Sequence, residues 1–218
     1  MRRPFVPYRF LLFIALLALL LTLVQIGVLT IAFDKLGVSR ESAFGLLLGS
    51  LLGSAVNLPL FVVRGERAPT RWQRFDLLGR WPASGGRTLI AVNVGGCVVP
   101  VGFSLHLMLH APLALEQVAV ATAMVAIISY MTSRPIAEVG IGMPPLVAPF
   151  SAALIASAIA PDHSAPLAYI CGTLGVLIGA DLFRLKDIAK LGGATAAIGG
   201  AGTFDGIFMT GIVAVLLA

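Results

Sequence analysis

The chain has 218 residues, of which 58% are hydrophobic and 11% charged, with a mean hydropathy of +0.99. That is roughly half the charge of a soluble domain of this size, which excludes an ordinary soluble enzyme and predicts one all-α integral membrane domain over residues 1–218. The formal net charge of +5 does not point to nucleic acid, because the basic residues sit between apolar runs, where they orient a protein in its lipid bilayer.

A helix needs about 20 apolar residues to cross a membrane, and seven segments are predicted to do so. Residues 10–33 form the first, uncharged and leucine-rich. Met1-Arg2-Arg3 before it resembles a signal peptide start, but the apolar run is about twice the length of a signal core and lacks a small-residue cleavage site, so a retained helix is expected. In residues 43–63, Gly45, Gly49 and Gly53 recur every four positions and offer a flat face for close helix contact, including a homodimer. Next come residues 88–109, broken by Gly95-Gly96 and Pro100, the short 118–133, and 139–160, interrupted at Gly142-Met143-Pro144-Pro145. Residues 166–183 follow, and a last segment starts between 191 and 202 and runs to 218.

The Lys/Arg asymmetry sets the orientation. Arg2, Arg3 and Arg9, then Arg64, Arg67, Arg71, Arg74, Arg80 and Arg87, then Arg134, and finally Arg184, Lys186 and Lys190 all fall inside if the N-terminus is cytoplasmic. The weakly charged loops 34–41, 110–117 and 161–165 then fall outside, as does the C-terminus. Trp72, Phe75, Leu77, Leu78 and Trp81 among the loop arginines suit either a short interfacial helix or an ordinary positive loop.

Ionisable groups inside such segments are costly and mark function by default. Asp181, in Leu177-Ile178-Gly179-Ala180-Asp181, and Asp205, in Gly202-Thr203-Phe204-Asp205-Gly206, are predicted at similar depth in the cytoplasmic half of an antiparallel hairpin. Asn57, Asn93 and Glu138 map to the same half, which suggests an inward-opening polar cavity, while His106 and Gln25 are weaker candidates on the outer side. Plainer readings stand beside these. Glu138 and Arg134 make a surface ion pair at i, i+4, the two asparagines bond between helices, and Asp181 pairs with Arg184 or Lys186. Asp205 has no basic residue within a helical turn. Asp162 and His163 read as solvated turn residues, and Cys97 and Cys171 as small core residues. No His/Cys spacing suits zinc, no histidine partners Ser50 or Ser54, and neither a metal nor a cofactor is expected.

Two carboxylates held close together cannot both ionise, so they share a proton and hold a water between them. One then acts as base on the water, and the other, protonated, polarises a carbonyl. Gly179-Ala180-Asp181 resembles the Gly-x-Gly-Asp motif of intramembrane aspartyl proteases, the class of presenilins, signal peptide peptidases and prepilin peptidases. The resemblance implies a catalytic pair, Asp181 and Asp205, on facing helices in a water-accessible cavity near the cytoplasm, acting on a membrane-protein or peptide substrate. Gly179, Gly202, Thr203 and Gly206 would shape its backbone, and Asn57, Asn93, Arg134 and Glu138 would support or line it. Pro145, in Met143-Pro144-Pro145-Leu146, is similar to part of the supporting Pro-Ala-Leu motif of presenilins. Three features depart from the pattern: Ala180 precedes the aspartate, Phe204-Asp205 replaces Tyr-Asp, and the proline motif comes before both aspartates.

A broader resemblance rests on Asn93-Val94-Gly95-Gly96, Arg134-Pro135, Gly140-Ile141-Gly142, Ile178-Gly179-Ala180-Asp181-Leu182 and Gly199-Gly200-Ala201-Gly202-Thr203-Phe204-Asp205-Gly206-Ile207-Phe208. Together these resemble a bacterial and archaeal family of multi-pass proteins of unknown function, from Ala43 onward, and imply a prokaryotic inner membrane. Two other functions stay open. One is a small ion- or proton-coupled transporter using Asp205 and the glycine and proline breaks. The other is a non-catalytic scaffold or binder.

Overall fold

A computed structural model describes residues 27–64, 87–136, 140–188, 195–200 and 206–218. Residues 27–35 form α1, and α2 spans Arg40–Gly53. Ser39 starts α2, its hydroxyl accepting a 3.2 Å bond from the Ser42 amide, one of the donors a helix start leaves without a helical partner. Just after Gly53 the chain turns extended as β1 (Asn57–Arg64), where Pro59 bars helix and coincides with a bulge. β2 (Arg87–Asn93) runs antiparallel to β1, pairing Asn57 with Asn93 and Arg64 with Arg87. A π-helical turn, Val94–Val98, leads into α3 (Val99–His110), and Pro100 occupies the first turn of α3, where its missing N–H costs nothing.

After α4 (Leu115–Thr132), a small hairpin of β3 (Arg134–Ile136) and β4 (Gly140–Gly142) precedes α5 (Val147–Ile159). α6 (Ser164–Val176) follows a single turn at Pro161–His163 and continues as a second π-helical turn, Leu177–Leu182. The short α7 (Leu185–Ile188) comes next. β5 (Thr195–Ile198) then pairs in parallel with β2, giving a sheet of order β1-β2-β5, and α8 (Gly206–Leu217) ends the described chain.

The architecture is built around α6. Leu167, Ala168, Tyr169, Ile170, Cys171 and Thr173 are fully buried there, as a helix apolar on every side requires. α3, α4, α5 and α8 pack around it. Small residues let them approach: beside Gly172 lie Ala152 of α5 and Ala214 of α8, while Gly175 faces Val125 of α4 so closely that a methyl there would sit 2.6 Å from the Val125 Cβ. Leu115–Thr132 and the continuous stretch Pro161–Asp187 are each long and apolar enough to cross a membrane, at 18 and 27 residues with mean hydropathies of 1.4 and 1.6. Val94–His110 and Val147–Ile159 are apolar but shorter.

The fold is mostly helical, but the expectation of an all-α chain is corrected by its two sheets. Residues 43–63 divide into most of α2 and most of β1, and residues 88–109 into most of β2, a π turn and most of α3. The expected break at Gly142–Pro145 separates β4 from α5. The physical reason is local: Pro59, Val62, Val63, Thr88, Ile90 and Val92 favour extended backbone, and an apolar run without helical periodicity fits a strand equally well. The first predicted segment falls largely outside the described residues, as do the arginine-rich loop at 65–86 and part of the 191–202 stretch.

Candidate functional site: a cavity at the π turn of the central helix

A helix with one residue added to its turn widens, and such turns recur at functional sites because they re-aim the side chains that follow. In α6 this happens just where α4 presses closest. A methyl on Gly179 would run into the Ala126 carbonyl of α4, so the position accepts only glycine. Asp181 follows on the same π turn and is half-buried.

It lines a cavity of about 460 Å³ with Ala180, with Gly142 and Pro145 at the exit of the β3–β4 hairpin, and with Ile207 and Thr210 of α8. Beneath it Ala148, Val176, Ala180 and Ile207 form a small buried apolar cluster. The carboxylate thus stands at the rim of a hydrocarbon floor with one buried hydroxyl residue, Thr210, on the facing helix.

The approach to Asp205 can be followed from both sides. β5 docks on β2, and Gly199 then turns at φ +71°, a left-handed conformation that favours glycine. There it abuts Gly96 and Cys97 of the first π turn. Gly206 is the first residue of α8, and Ile207 is already buried against the Asp181 cavity. Asp205 itself, Gly202, Thr203 and Glu138 lie outside the described residues.

Asn57 and Asn93 are brought together, but as a clasp. Asn93 is buried, and its amide donates to the Ser54 carbonyl at 2.7 Å and to Asn57 Oδ1 at 3.0 Å. Its own Oδ1 accepts from the Gly96 amide at 2.8 Å, which caps the π turn. The adjacent Ser50 hydroxyl donates to the Gly95 carbonyl at 2.7 Å, so the end of α2 is fastened onto the turn. Of the glycines predicted as a contact face, Gly53 meets Val94 and Gly95 of its own chain, whereas the space beside Gly45 and Gly49 is open.

Arg134 is exposed on β3, paired across the hairpin with Gly142. Arg184 closes the C-terminus of α4. It donates to the carbonyls of Tyr130 and Ser133 at 2.9 and 2.8 Å, lies 4.4 Å from the centre of the Tyr130 ring, and pairs with Asp187 at 3.3 Å. Cys97 and Cys171 are both buried, and no group of three metal-ligating side chains occurs among the described residues. Thr210 is a lining residue that the sequence did not single out. The signal available was a threonine inside an otherwise apolar helix, five residues beyond Asp205.

These features define a mostly helical protein that has, among the described residues, two membrane-length helices, a mixed sheet, and an aspartate-lined cavity at an irregular turn. The chain belongs to a family of proteins of unknown function, DUF1614, whose model matches residues 51–217. That agrees with the resemblance from Ala43 onward to a family of unknown function. No curated protein and no solved structure matches the chain.

Proposed function

We propose that the chain is an intramembrane aspartyl protease that uses Asp181 and Asp205 as a catalytic pair. The observation that carries the reading is the cavity of about 460 Å³, lined by Asp181 and by the first turn of α8, which begins one residue after Asp205. One carboxylate takes a proton from the water as its oxygen bonds to the peptide carbonyl carbon. The other, protonated, donates to the carbonyl oxygen. Collapse of the tetrahedral diol breaks the C–N bond: the leaving amine takes the proton that came from water, and a diol hydroxyl returns its proton to the other carboxylate as the carbonyl re-forms, leaving the pair with the single proton it began with. The substrate is a peptide segment in or beside the membrane.

In this reading the chain crosses a prokaryotic inner membrane seven times, with the N-terminus inside. Support comes from the loops assigned to the outer side: Lys35 to Ser39, Ala111–Pro112 and Asp162 to Pro166 border one cavity with Ala218 at a single end of the bundle. A second reading, ion- or proton-coupled transport, is favoured by the interruptions at Val94–Val98, Gly140–Gly142 and Leu177–Leu182, since irregular backbone near carboxylates builds ion sites.

The test uses a peptide carrying a hydroxyl isostere of the tetrahedral intermediate and a photoreactive group. The protease reading predicts saturable labelling of the wild-type protein in detergent and loss of labelling in both Asp181→Asn and Asp205→Asn, with melting temperatures unchanged. Labelling that survives both substitutions rules the pair out, and a sodium-dependent rise in melting temperature that Asp205→Asn abolishes favours transport instead.

A further inference from the structure

A larger cavity, about 870 Å³, lies at the other end of the bundle from Asp181. Ser164 and Pro166 of α6 border it, and Asp181 is 17 residues further along, roughly 25 Å at 1.5 Å per residue. It gathers all three histidines of the chain, His106 and His110 from α3 and His163 from the turn before α6, although the last is more than 50 residues from the others. Lys35 and Asp162 complete its charged lining, and Phe103 and Leu107, both buried, belong to its wall.

The histidines are arranged with order. The His106 and His110 rings lie 4.1 Å apart between centres, and Phe103 stacks on His106 at 6.2 Å. His110 Nδ1 lies 2.8 Å from the His106 carbonyl. A carbonyl only accepts, so Nδ1 carries the proton and Nε2 is the nitrogen left for a ligand. A neutral His110 would then present a lone pair there, and a charged one a donor. Lys35 donates to the carbonyls of Val215 and Leu216 at 3.4 and 3.2 Å, which holds its ammonium at the C-terminal end of α8 with a third proton to give.

We propose that this cavity binds a phosphate-ester headgroup, with His106, His110, His163 and Lys35 holding the phosphate and the apolar wall holding the chain attached to it. Charge complementarity chooses the ligand class. Four groups able to carry positive charge line the cavity together with the Asp162 carboxylate and the last residue, Ala218, and adjacent imidazoles gain most from an anion, which offsets their mutual repulsion when charged. Asp162 suits a hydroxyl or amine on the far side of the same headgroup. A metal fits less well, since no set of three ligating side chains is formed among the described residues. The proposal is independent of the chemistry at Asp181.

The ligand could come from a membrane lipid or from a soluble phosphate ester, and a titration separates the two. Detergent-solubilised protein is titrated calorimetrically with dihexanoylphosphatidylglycerol, glycerol 3-phosphate and the uncharged dihexanoylglycerol. The phosphatidylglycerol is expected to bind at least about tenfold more tightly than dihexanoylglycerol. Substitutions His106→Gln and His163→Gln should each weaken that binding by roughly three- to tenfold without lowering the melting temperature. His163 lies in a surface turn, so its variant keeps the test valid should the α3 variant unfold. Glycerol 3-phosphate binding as tightly as the lipid supports the phosphate site and assigns a soluble source. Equal binding of dihexanoylglycerol, binding by neither phosphate compound, or affinities untouched by His163→Gln would overturn the proposal.

Discussion

Asn93 shows how one side chain can set local architecture. Its three hydrogen bonds join the end of α2, the opposite strand and the first π turn, all at a buried position. Replacing it with alanine strands the Ser54 carbonyl and the Gly96 amide, and the expected cost is about 2–3 kcal/mol. Asn57 is exposed and supplies one of those bonds, so Asn57→Ala should cost about 1 kcal/mol or less. Thermal unfolding in detergent ranks the two, and equal losses would show that Asn93 is not the hub. At this scale the sequence was informative about which residues matter and less so about why. Gly179 was singled out as part of a catalytic motif, and the structure gives it a steric reason, the Ala126 carbonyl beside it. The histidines carried little signal because their shared cavity depends on tertiary packing: His106 and His110 are on one helix, but His163 joins the same lining from the turn before α6.

Elements were legible where length and hydropathy agreed. Residues 118–133 and 166–183 were expected as helices; the first matches Leu115–Thr132 to one residue at its end, and the second lies within Pro161–Asp187. The strands were hidden because apolar strands and apolar helices present the same composition, and parallel pairing of β5 with β2 brings together residues about 106 apart, as for Leu89 and Thr195. The C-terminus of α4 offers an element-scale prediction. Arg184 satisfies two carbonyls there through one nitrogen, Nη2, and stacks on Tyr130. Arg184→Ala should destabilise by about 1–2 kcal/mol. Arg184→Lys should recover less than half of that, because an ammonium cannot match bonds made from three guanidinium nitrogens or the stacking. Full recovery by lysine, read from the melting temperature, would reduce the contact to simple charge.

For the whole molecule, the arrangement is a central helix with a cavity at either end. The histidine cavity borders one end of α6, and the Asp181 cavity the other. The seven-span topology predicts which end faces which compartment. Cysteines placed at the exposed positions Ser39 and Asp162 should react with a membrane-impermeant maleimide in intact cells, and cysteines at the exposed Arg134 and Lys186 only after permeabilisation. The native Cys97 and Cys171, 6% and 0% exposed, should stay silent. Labelling of Ser39 and Arg134 from the same side would refute the topology and, with it, the shared cytoplasmic depth of the two aspartates.

The central claim is that Asp181 and Asp205 come within reach of one water, and the most direct measurement is chemical cross-linking of Asp181→Cys/Asp205→Cys. It is made with Cys97 and Cys171 changed to alanine and a thiol-specific linker no longer than about 8 Å, the separation beyond which one water cannot bridge the carboxyl groups. Efficient intramolecular cross-linking, detected by mass spectrometry of the linked peptides and blocked by the hydroxyl-isostere peptide, is the predicted result. A folded double variant whose two cysteines each react with a monofunctional reagent, yet never link to one another, would contradict the account.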